Sequence, residues 1–311
     1  MRISFMGTPT FALPSLKALT AAGHDICLVV TQPDRPAGRG RVLTPPPIKL
    51  AAQELGLPLL QPEKVGEPAA VAALQAGGPE AVIVVAYGQL LPKRILELPR
   101  HGCLNLHASL LPKYRGAAPI PRAIMRGDTV TGVTIMQMEA RMDAGPLLLQ
   151  RAEPIRPHDT VATLSERLAV LGAELLCQVL DQVARETVHQ VPQDEHLATY
   201  APKLLPADAC LDWARDARTL DCLIRGLCPE PGAVTGFGGR RVKVLGADVE
   251  TTLNAPPGTV CAVDQHKGVL VAANLGGLWL TLVQPENRRA MAATEFARGY
   301  RVHVGDAFAS L

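Results

Sequence analysis

The sequence predicts an α/β protein with a doubly wound, mostly parallel sheet, followed by a smaller domain of the β-barrel type. In the first 110 residues, short apolar runs alternate with helical stretches, and strand–helix–strand alternation is typical of a parallel sheet. Beyond about residue 211 the chain changes to short β segments separated by Gly and Pro. Many short strands with turn signals between them indicate a small β-barrel.

The first part contains four predicted strands, which are Ile3–Met6, Cys27–Thr31, Ala81–Ala86 and Cys103–Leu106. Three helices are predicted between the first three strands, at Pro14–Ala22, Ile48–Leu55 and Ala69–Ala76. Glycine follows each helix directly, and it is the usual residue just past a helix C-terminus. The pattern therefore predicts crossover helices between parallel strands.

Two further strands and one long helix complete the first part. The strands are predicted at Val130–Met138 and Leu147–Ile155, on either side of Asp143. Within Thr160–Glu186, leucines recur at helical spacing after a capping signal, which predicts an amphipathic helix packed on the sheet.

The second part begins after a stretch rich in proline and polar residues, which predicts a linker. A helix is predicted at Ala217–Leu227. Strands are predicted at Arg241–Leu245, Gly258–Val263, Gly268–Ala272 and Leu278–Leu282. The predicted limits are a first domain at 1–188, a linker at 189–210 and a second domain at 211–311.

Length and composition exclude several classes of protein. With 311 residues, of which 48% are hydrophobic, two domains are expected, although one large domain would also fit. The apolar runs fall short of the roughly 18 residues that indicate a membrane span, and the first residues lack the pattern of a signal peptide. Seven cysteines form no C-x-x-C pair, so we expect reduced cysteines, no metal site and a cytoplasmic protein. The net charge of +2 confines any nucleic-acid surface to a local patch.

An amide, an imidazole and a carboxylate form the candidate catalytic group. Asn105 and His107 lie two residues apart at the end of a predicted strand, so their side chains point the same way. Ligands bind at this edge of open α/β sheets, and two such donors suit a developing oxyanion. Asp143 could fix the imidazole tautomer or hold a water for proton transfer. The group indicates acyl transfer without a covalent enzyme intermediate, although each residue taken alone could be structural.

Two stretches of basic residues are candidates for contacts with nucleic acid. The loop after the second strand carries Arg35, Arg39 and Arg41 among Gly and Pro, and arginines suit phosphates and stacked bases. Arg240, Arg241 and Lys243 could extend a basic track in the second domain. The alternatives are a solvated loop and the exposed face of a strand. The turn after the first strand has one glycine and a proline, so it does not match the dinucleotide-binding fingerprint.

At Asn105 to Pro112, together with Asp143, the sequence resembles the 10-formyltetrahydrofolate-dependent formyltransferases. Longer stretches are similar to the members that act on methionyl-initiator tRNA, and they cover nearly the whole chain. These stretches are Gly7–Pro9, Thr31–Gly40, Val85–Gly88, Arg115–Ile120, Thr131–Met138, Tyr200–Leu204 and Val242–Val244.

The resemblance implies a Rossmann-like catalytic domain and an OB-like, tRNA-binding β-barrel. It implies transfer of a formyl group from 10-formyltetrahydrofolate to the α-amino group of methionyl-initiator tRNA. We also expect a monomer that needs no metal, since the sequence contains no cluster of metal ligands. Asn105 and His107 would stabilise the oxyanion while Asp143 orients His107 and assists proton movement. The implied folate contacts are Ser109, Leu110, Leu111, Pro112, Ala86, Tyr87, Gly88 and Leu90. The implied tRNA contacts are Arg35, Arg39, Arg41, Arg240, Arg241 and Lys243.

Three alternatives remain open from the sequence. A glycinamide ribonucleotide formyltransferase usually lacks the second domain and the arginine loop. A sugar-amine formyltransferase shares more of the architecture. A tRNA-binding protein without activity is disfavoured by the intact Asn105, His107 and Asp143.

Overall fold

The structure is a computed structural model that describes residues 1–37, 40 and 42–311. The chain forms two compact units. The first comprises Met1–Ala117, Val130–Pro154 and Ser165–Ala201, and the second comprises Ala118–Thr129, Ile155–Leu164 and Pro202–Leu311. The chain thus passes between the units more than once, whereas the predicted limits make each domain one continuous segment of the chain. Those limits stay predictions.

The elements up to the long helix are, in chain order, β1 (Arg2–Gly7), α1 (Leu13–Ala21), β2 (Asp25–Val30), β3 (Arg35–Ala37), β4 (Val42–Thr44), α2 (Pro47–Glu54), β5 (Leu59–Leu60), α3 (Pro68–Gly77), β6 (Ala81–Val85), α4 (Lys93–Leu96), β7 (Cys103–His107), α5 (Pro119–Met125), β8 (Val130–Gln137), β9 (Leu147–Pro154) and α6 (Val161–Ala184). The remaining elements are α7 (Ala217–Leu227), β10 (Ala233–Phe237), β11 (Arg240–Glu250), β12 (Val260–Asp264), β13 (Gly268–Ala272), β14 (Gly277–Pro285), β15 (Met291–Ala292), α8 (Ala293–Tyr300) and β16 (Phe308–Ala309).

The first unit contains a seven-stranded sheet in the order β5-β2-β1-β6-β7-β8-β9. The pairs from β5 to β7 are parallel, and β8 and β9 are added antiparallel. The residues of β6 are all buried, as expected of a strand covered on both faces. The mostly parallel sheet is confirmed. Its parallel strands end at one edge, which therefore carries Gly7, Val30, Val85 and His107.

The second unit contains one curled antiparallel sheet. Its strand path is β12-β13-β14-β11-β10-β16, with β15 paired to β14. A bridge between Thr259 and Ala307 joins the two ends of this path, and the Val260 N–H donates to the Asp306 carbonyl at 2.8 Å. The predicted barrel-like domain is confirmed. Its core includes Trp213 and Phe296, which are almost fully buried.

The predicted elements are present, with ends that differ by a few residues. The helix at Ala217–Leu227 and the strand at Gly268–Ala272 have the predicted bounds. Nine of the described elements were missed, which are β3, β4, β5, α4, α5, β10, β15, α8 and β16. Two prolines in the first turn of α5 look like helix breakers in a sequence, although that is where a helix tolerates them. Among the described residues, no helix is both long and apolar enough to cross a membrane.

Replacing Phe296 by Ala should destabilise the second unit by about 3–5 kcal/mol, because a fully buried aromatic ring is lost and a cavity remains. The Phe296 ring is 0% exposed and contacts the rings of Phe237, Tyr300 and Phe308. Denaturant unfolding measures the change. Val304→Ala is the control, because Val304 is 66% exposed, and it should change the free energy of unfolding by less than about 0.5 kcal/mol. Equal effects of both substitutions would contradict the described core.

Candidate active site

His107 lies at the carboxyl end of β7 and is buried. Its Nε2 atom is 2.8 Å from the Tyr114 carbonyl oxygen. A carbonyl oxygen can only accept a hydrogen bond, so Nε2 carries a proton and donates it. In the neutral ring the lone pair is therefore on Nδ1, and Nδ1 is the nitrogen left for chemistry.

Asp143 faces the free nitrogen of His107. Its Oδ2 atom is 3.7 Å from Nδ1, so the carboxylate lies beside the ring at a distance too long for a hydrogen bond. The same oxygen accepts a hydrogen bond of 2.8 Å from the Gly116 N–H. From the sequence, Asp143 was expected to fix the tautomer or hold a water. In the structure the Tyr114 carbonyl fixes the tautomer, and the Asp143 carboxylate lies beside Nδ1.

Asn105 lies two residues before His107 on β7, between Val84 of β6 and Met136 of β8. The two residues share one face of the sheet because side chains alternate along a strand. Asn105 is half-buried, and its carboxamide has no hydrogen-bond partner in the part of the chain that the structure describes. The carboxamide is thus available to a ligand at the sheet edge.

The backbone around these residues is strained. Tyr114, Asp143 and Ala86 have φ values of 61°, 50° and 47°, in the left-handed region that side chains rarely adopt. They are three of the six described non-glycine residues with positive φ. Each such residue costs about 1–3 kcal/mol, and such residues cluster at functional sites. The strain therefore marks this sheet edge as the candidate site.

The Ser109–Pro112 turn that follows β7 is fastened by two neighbouring strands. Thr134 of β8 donates through Oγ1 to the Ser109 carbonyl at 2.6 Å and accepts from the Leu111 N–H at 3.1 Å. Gln150 of β9 donates to the Leu111 carbonyl at 2.8 Å and to the Thr134 hydroxyl at 2.9 Å. Since Thr134 is fully buried, these bonds hold the turn rigidly.

The side chains of the Ser109–Pro112 turn, which is the first group of predicted folate contacts, differ in their exposure to solvent. Ser109 is fully buried, and its hydroxyl donates to the Lys113 carbonyl at 2.6 Å. Leu111 is buried, whereas Leu110 and Pro112 are half-exposed. A ligand at this turn can reach its backbone and the last two side chains.

The second predicted group of folate contacts follows β6. Ala86, Gly88 and Leu90 are exposed, and Leu90 is 76% exposed. Tyr87 is different, because its ring is buried in the apolar core and burial raises its pKa to about 12. Only its backbone is at the edge, where its carbonyl accepts from the Thr8 hydroxyl at 2.9 Å. A contact through the Tyr87 side chain is therefore inconsistent with the structure.

The loop after β2 is fastened by a carboxylate. Asp34 forms an ion pair of 2.7 Å with Lys49 and accepts a hydrogen bond from Gln61. Hydrogen bonds from Lys49 and then Gln61 lower the pKa of Asp34. Gln61 also donates to the Gln32 carbonyl, which places Gln32 at the sheet edge. The Gln32 side chain donates in turn to the Tyr87 carbonyl at 3.2 Å, which joins this loop to the segment after β6.

Only one arginine of the predicted loop is in the described residues. Arg35 lies on β3, is largely exposed and pairs with Glu63 at 2.7 Å. Arg39 and Arg41 lie outside the described residues.

The predicted basic residues of the second unit lie on β11. Arg240 and Arg241 are exposed and have no ion pair with the described residues. Lys243 pairs with Glu230 at 3.2 Å. Arg241 and Lys243 alternate with buried valines, so they share the outer face of the strand.

A groove of about 580 Å³ in the second unit is a further basic feature. Arg298, Arg301, His266 and His303 line it, and neither arginine has an ion pair with the described residues. Among the described residues, no group of three or more His, Cys, Asp or Glu could hold a metal ion.

The 193–201 segment, predicted as part of a linker, belongs to the scaffold of the site. The Arg115 N–H donates to the Thr199 carbonyl at 2.8 Å, and the Ala201 N–H donates to the Arg115 carbonyl at 2.7 Å. The Tyr114 N–H donates to the Thr199 hydroxyl at 2.9 Å. These bonds fix the backbone that holds His107. A signal for this role was present in the sequence, since Tyr200 begins one of the stretches that carry the resemblance.

Arg115 is the buried charge of this scaffold, with only 1% exposed. Its guanidinium donates two hydrogen bonds to the Glu195 carboxylate, at 3.1 and 2.9 Å. Arg141 pairs with the same carboxylate at 2.9 Å. Hydrogen bonds from Arg115 and then Arg141 lower the pKa of Glu195 to about 2.

Comparison with known proteins identifies the family. A family model described as formyl transferase matches residues 1–180, and one described as formyl transferase, C-terminal domain, matches residues 203–301. The chain is 44% identical over 305 residues to the methionyl-tRNA formyltransferase of Geobacter metallireducens, covering 98% of this chain and 97% of that protein. The chain belongs to the methionyl-tRNA formyltransferase family.

Other relatives agree with this membership. The methionyl-tRNA formyltransferase of Moorella thermoacetica is 46% identical over 307 residues, covering 98% of each chain. Among solved structures, HypX from Aquifex aeolicus in complex with tetrahydrofolic acid matches with a TM-score of 0.70 and 20% identity. The match covers 98% of this chain and 48% of that one, so it supports the fold alone. The predictions of the fold class, of the family and of an enzyme are confirmed.

Replacing Glu195 by Gln should make unfolding less dependent on pH in acid. The folded-state pKa is about 2 and the usual value is 4.5. The stability from the Arg115–Glu195 pair is therefore fully present above pH 4.5 and is lost as the pH falls towards 2. The gap in unfolding free energy between wild type and Glu195→Gln should shrink over this window. Glu186→Gln, which removes an exposed pair with Arg100, should show little gap at any pH. If the difference in unfolding free energy between wild type and Glu195→Gln stays unchanged down to pH 2, the described pair is contradicted.

Proposed function

We propose that the protein transfers the formyl group of 10-formyltetrahydrofolate to the α-amino group of methionyl-initiator tRNA. Family membership over nearly the whole chain carries the proposal. The convergence of Asn105, His107 and Asp143 on one sheet edge supports it. Acting on a charged tRNA, the protein would work in the cytoplasm, and the expected monomer stays a prediction.

In the proposed reaction the amine attacks the formyl carbon directly. The Asn105 carboxamide donates to the formyl oxygen as the oxyanion forms. When His107 carries a proton on Nδ1 as well, this atom donates to the same oxygen, and the Asp143 carboxylate lies 3.7 Å from Nδ1. The new bond joins nitrogen to carbon, and the bond from the formyl carbon to N10 of the folate breaks. The amine loses one proton and N10 gains one, with Asp143 and His107 passing it between them.

The proposed folate site combines the Ser109–Pro112 turn with the segment after β6. The exposed backbone of Ala86 and Gly88 leaves hydrogen-bonding groups for a pterin. Leu90 adds an exposed apolar surface. The Ser109–Pro112 turn, which Thr134 holds rigid, forms a fixed surface beside the reacting group. A folate-derived donor agrees with the tetrahydrofolic acid complex of the HypX structure.

The proposed tRNA contacts are phosphate contacts. Arg240 and Arg241 have no ion pair with the described residues, so they can bind an anion without first giving up a partner. Arg35 and Lys243 would exchange a carboxylate for a phosphate. Arg39 and Arg41 remain candidates from the sequence. The groove with Arg298 and Arg301 adds further cationic surface.

The test of function is formyl transfer from 10-formyltetrahydrofolate to four acceptors. These are methionyl-initiator tRNA, methionyl-elongator tRNA, free methionine and a 4-amino sugar nucleotide. Transfer to the initiator species alone is the expected result. Transfer only to the sugar nucleotide would overturn the tRNA assignment and keep the formyl chemistry. If the folded protein transfers the formyl group to none of the four acceptors, both the tRNA assignment and the formyl chemistry are overturned.

Replacing Asn105 by Ala should lower kcat on the order of 10²–10³-fold, because one oxyanion donor is lost. Folate binding should change little, because the predicted folate contacts are elsewhere. Steady-state kinetics and folate titration measure the two effects. Asn274→Ala, at an exposed position of the second unit, should leave kcat unchanged. An Asn105→Ala enzyme with wild-type kcat would remove this residue from the mechanism.

Replacing Arg240 and Arg241 together by Ala should raise KM for the tRNA and leave kcat unchanged. Each lost phosphate contact should also reduce the slope of log KM against log salt by about 1. Kinetics at several salt concentrations measure both effects. Arg100→Ala removes an exposed arginine of the first unit and should leave the slope as it is. An unchanged slope in the Arg240 and Arg241 variant would exclude these residues as tRNA contacts.

A further inference from the structure

The main chain at Asp143 is held by a side chain from the 193–201 segment. Gln193 donates through Nε2 to the Asp143 carbonyl at 2.8 Å and to the Gly145 carbonyl at 2.7 Å. Asp143 itself has a strained φ of 50°, which persists only when the surroundings impose it. The two donors of one carboxamide bridge this strained turn and so fix where the Asp143 carboxylate points.

The same carboxamide is fixed in turn by Arg115. The Gln193 Oε1 atom accepts from Arg115 Nε at 3.1 Å and from Nη2 at 2.8 Å. The Glu195 carboxylate accepts hydrogen bonds from Nη1 and Nη2 of the same guanidinium. Because Arg115 is almost fully buried, its geometry is set by these partners, and removing one partner would leave a buried charge under-satisfied.

The residues on either side of Arg115 contact the two candidate catalytic residues. The Tyr114 carbonyl accepts from Nε2 of His107, and the Gly116 N–H donates to the Asp143 carboxylate. Gly116 has a φ of 117°, and a Cβ there would lie 2.8 Å from the Ala201 carbonyl oxygen. This position therefore requires glycine. One turn, anchored by one buried side chain, thus holds both His107 and Asp143.

We propose that Gln193, together with Arg115 and Glu195, is a positioning network that sets the Asp143 carboxylate against Nδ1 of His107. None of the three was among the predicted site residues, although Arg115 begins one of the stretches that carry the resemblance. The network acts on the Asp143 carboxylate, so the inference rests on the proposed function. An error of about 1 Å in placing a catalytic group can cost on the order of 10²-fold in rate. Freeing the Asp143 turn should therefore slow the chemical step with little change in substrate binding.

The test is a double-mutant cycle between Gln193 and Asp143. Gln193→Met keeps the side-chain length and removes the amide, and Asp143→Asn removes the carboxylate. Gln193→Met alone should lower kcat by about tenfold to hundredfold, with KM for both substrates within about twofold of wild type. In the Asp143→Asn background the same change should alter kcat by less than about twofold, since the group it positions is already gone. If the losses of kcat in the two single variants multiply in the double variant, Gln193 stabilises the turn without positioning Asp143. That result would overturn the inference.

Gln190→Met is the matched control. Gln190 is three residues earlier and donates to the Gln137 side chain at 2.9 Å on the exposed surface. The same substitution there should leave kcat unchanged in both backgrounds. A loss at Gln190 as large as that at Gln193 would contradict a role specific to the Asp143 turn.

A second variant covers the case in which Gln193→Met does not fold, as judged by thermal melting. Gln193→Glu keeps an acceptor for Arg115 but has no donor for the two carbonyls, and it should show the same loss and the same coupling. Wild-type kcat in the Gln193→Glu enzyme would overturn the inference. The Asp143→Asn enzyme separates the two proposals. If it keeps wild-type kcat, the catalytic assignment of Asp143 fails. If it loses activity while the Gln193 variants do not, only the positioning network fails.

Discussion

The hydrogen bond from Nε2 of His107 to the Tyr114 carbonyl decides what the rest of the site can do. It commits one ring nitrogen to the backbone and leaves Nδ1 for chemistry. Nδ1 then faces the Asp143 carboxylate, and the backbone sets the orientation of the ring. The bond depends on Tyr114 keeping a left-handed conformation. That conformation is held by the 193–201 segment and by buried Arg115.

The sheet explains why this chemistry is at this edge. Parallel strands bring several loop starts together at their carboxyl ends, and here β6 and β7 contribute Ala86, Asn105 and His107. The antiparallel addition of β8 and β9 supplies Thr134 and Gln150, which fasten the turn after β7. Half-buried donors in such a place are already oriented when charge develops, which is the main source of oxyanion stabilisation. The proposed direct attack by an amine needs no enzyme nucleophile, and the site as described contains none of the cysteines.

The sequence predicted the sheet well because its strands are short apolar runs and the helices between them are each followed by glycine. It predicted Asn105 and His107 because a period of two at a strand end is a local property. The role of Tyr87 could not be predicted in the same way, since only packing decides which way a residue just past a strand points. The 193–201 segment was predicted as a linker because prolines and polar residues give no periodic signal. Its hydrogen bonds join residues about 80 positions apart in the chain. The burial of Arg115 and the tautomer of His107 likewise depend on contacts that are distant in sequence.

The tautomer of His107 tests this account most directly. It can be read from the ¹⁵N shifts and two-bond couplings of the imidazole in the folded enzyme, at a pH where the ring is neutral. A His107→Gln variant assigns the signals among the eight histidines. The account predicts a protonated Nε2 and an unprotonated Nδ1. A protonated Nδ1 with a free Nε2 would contradict it, and would mean that Asp143, rather than the Tyr114 carbonyl, orients the ring.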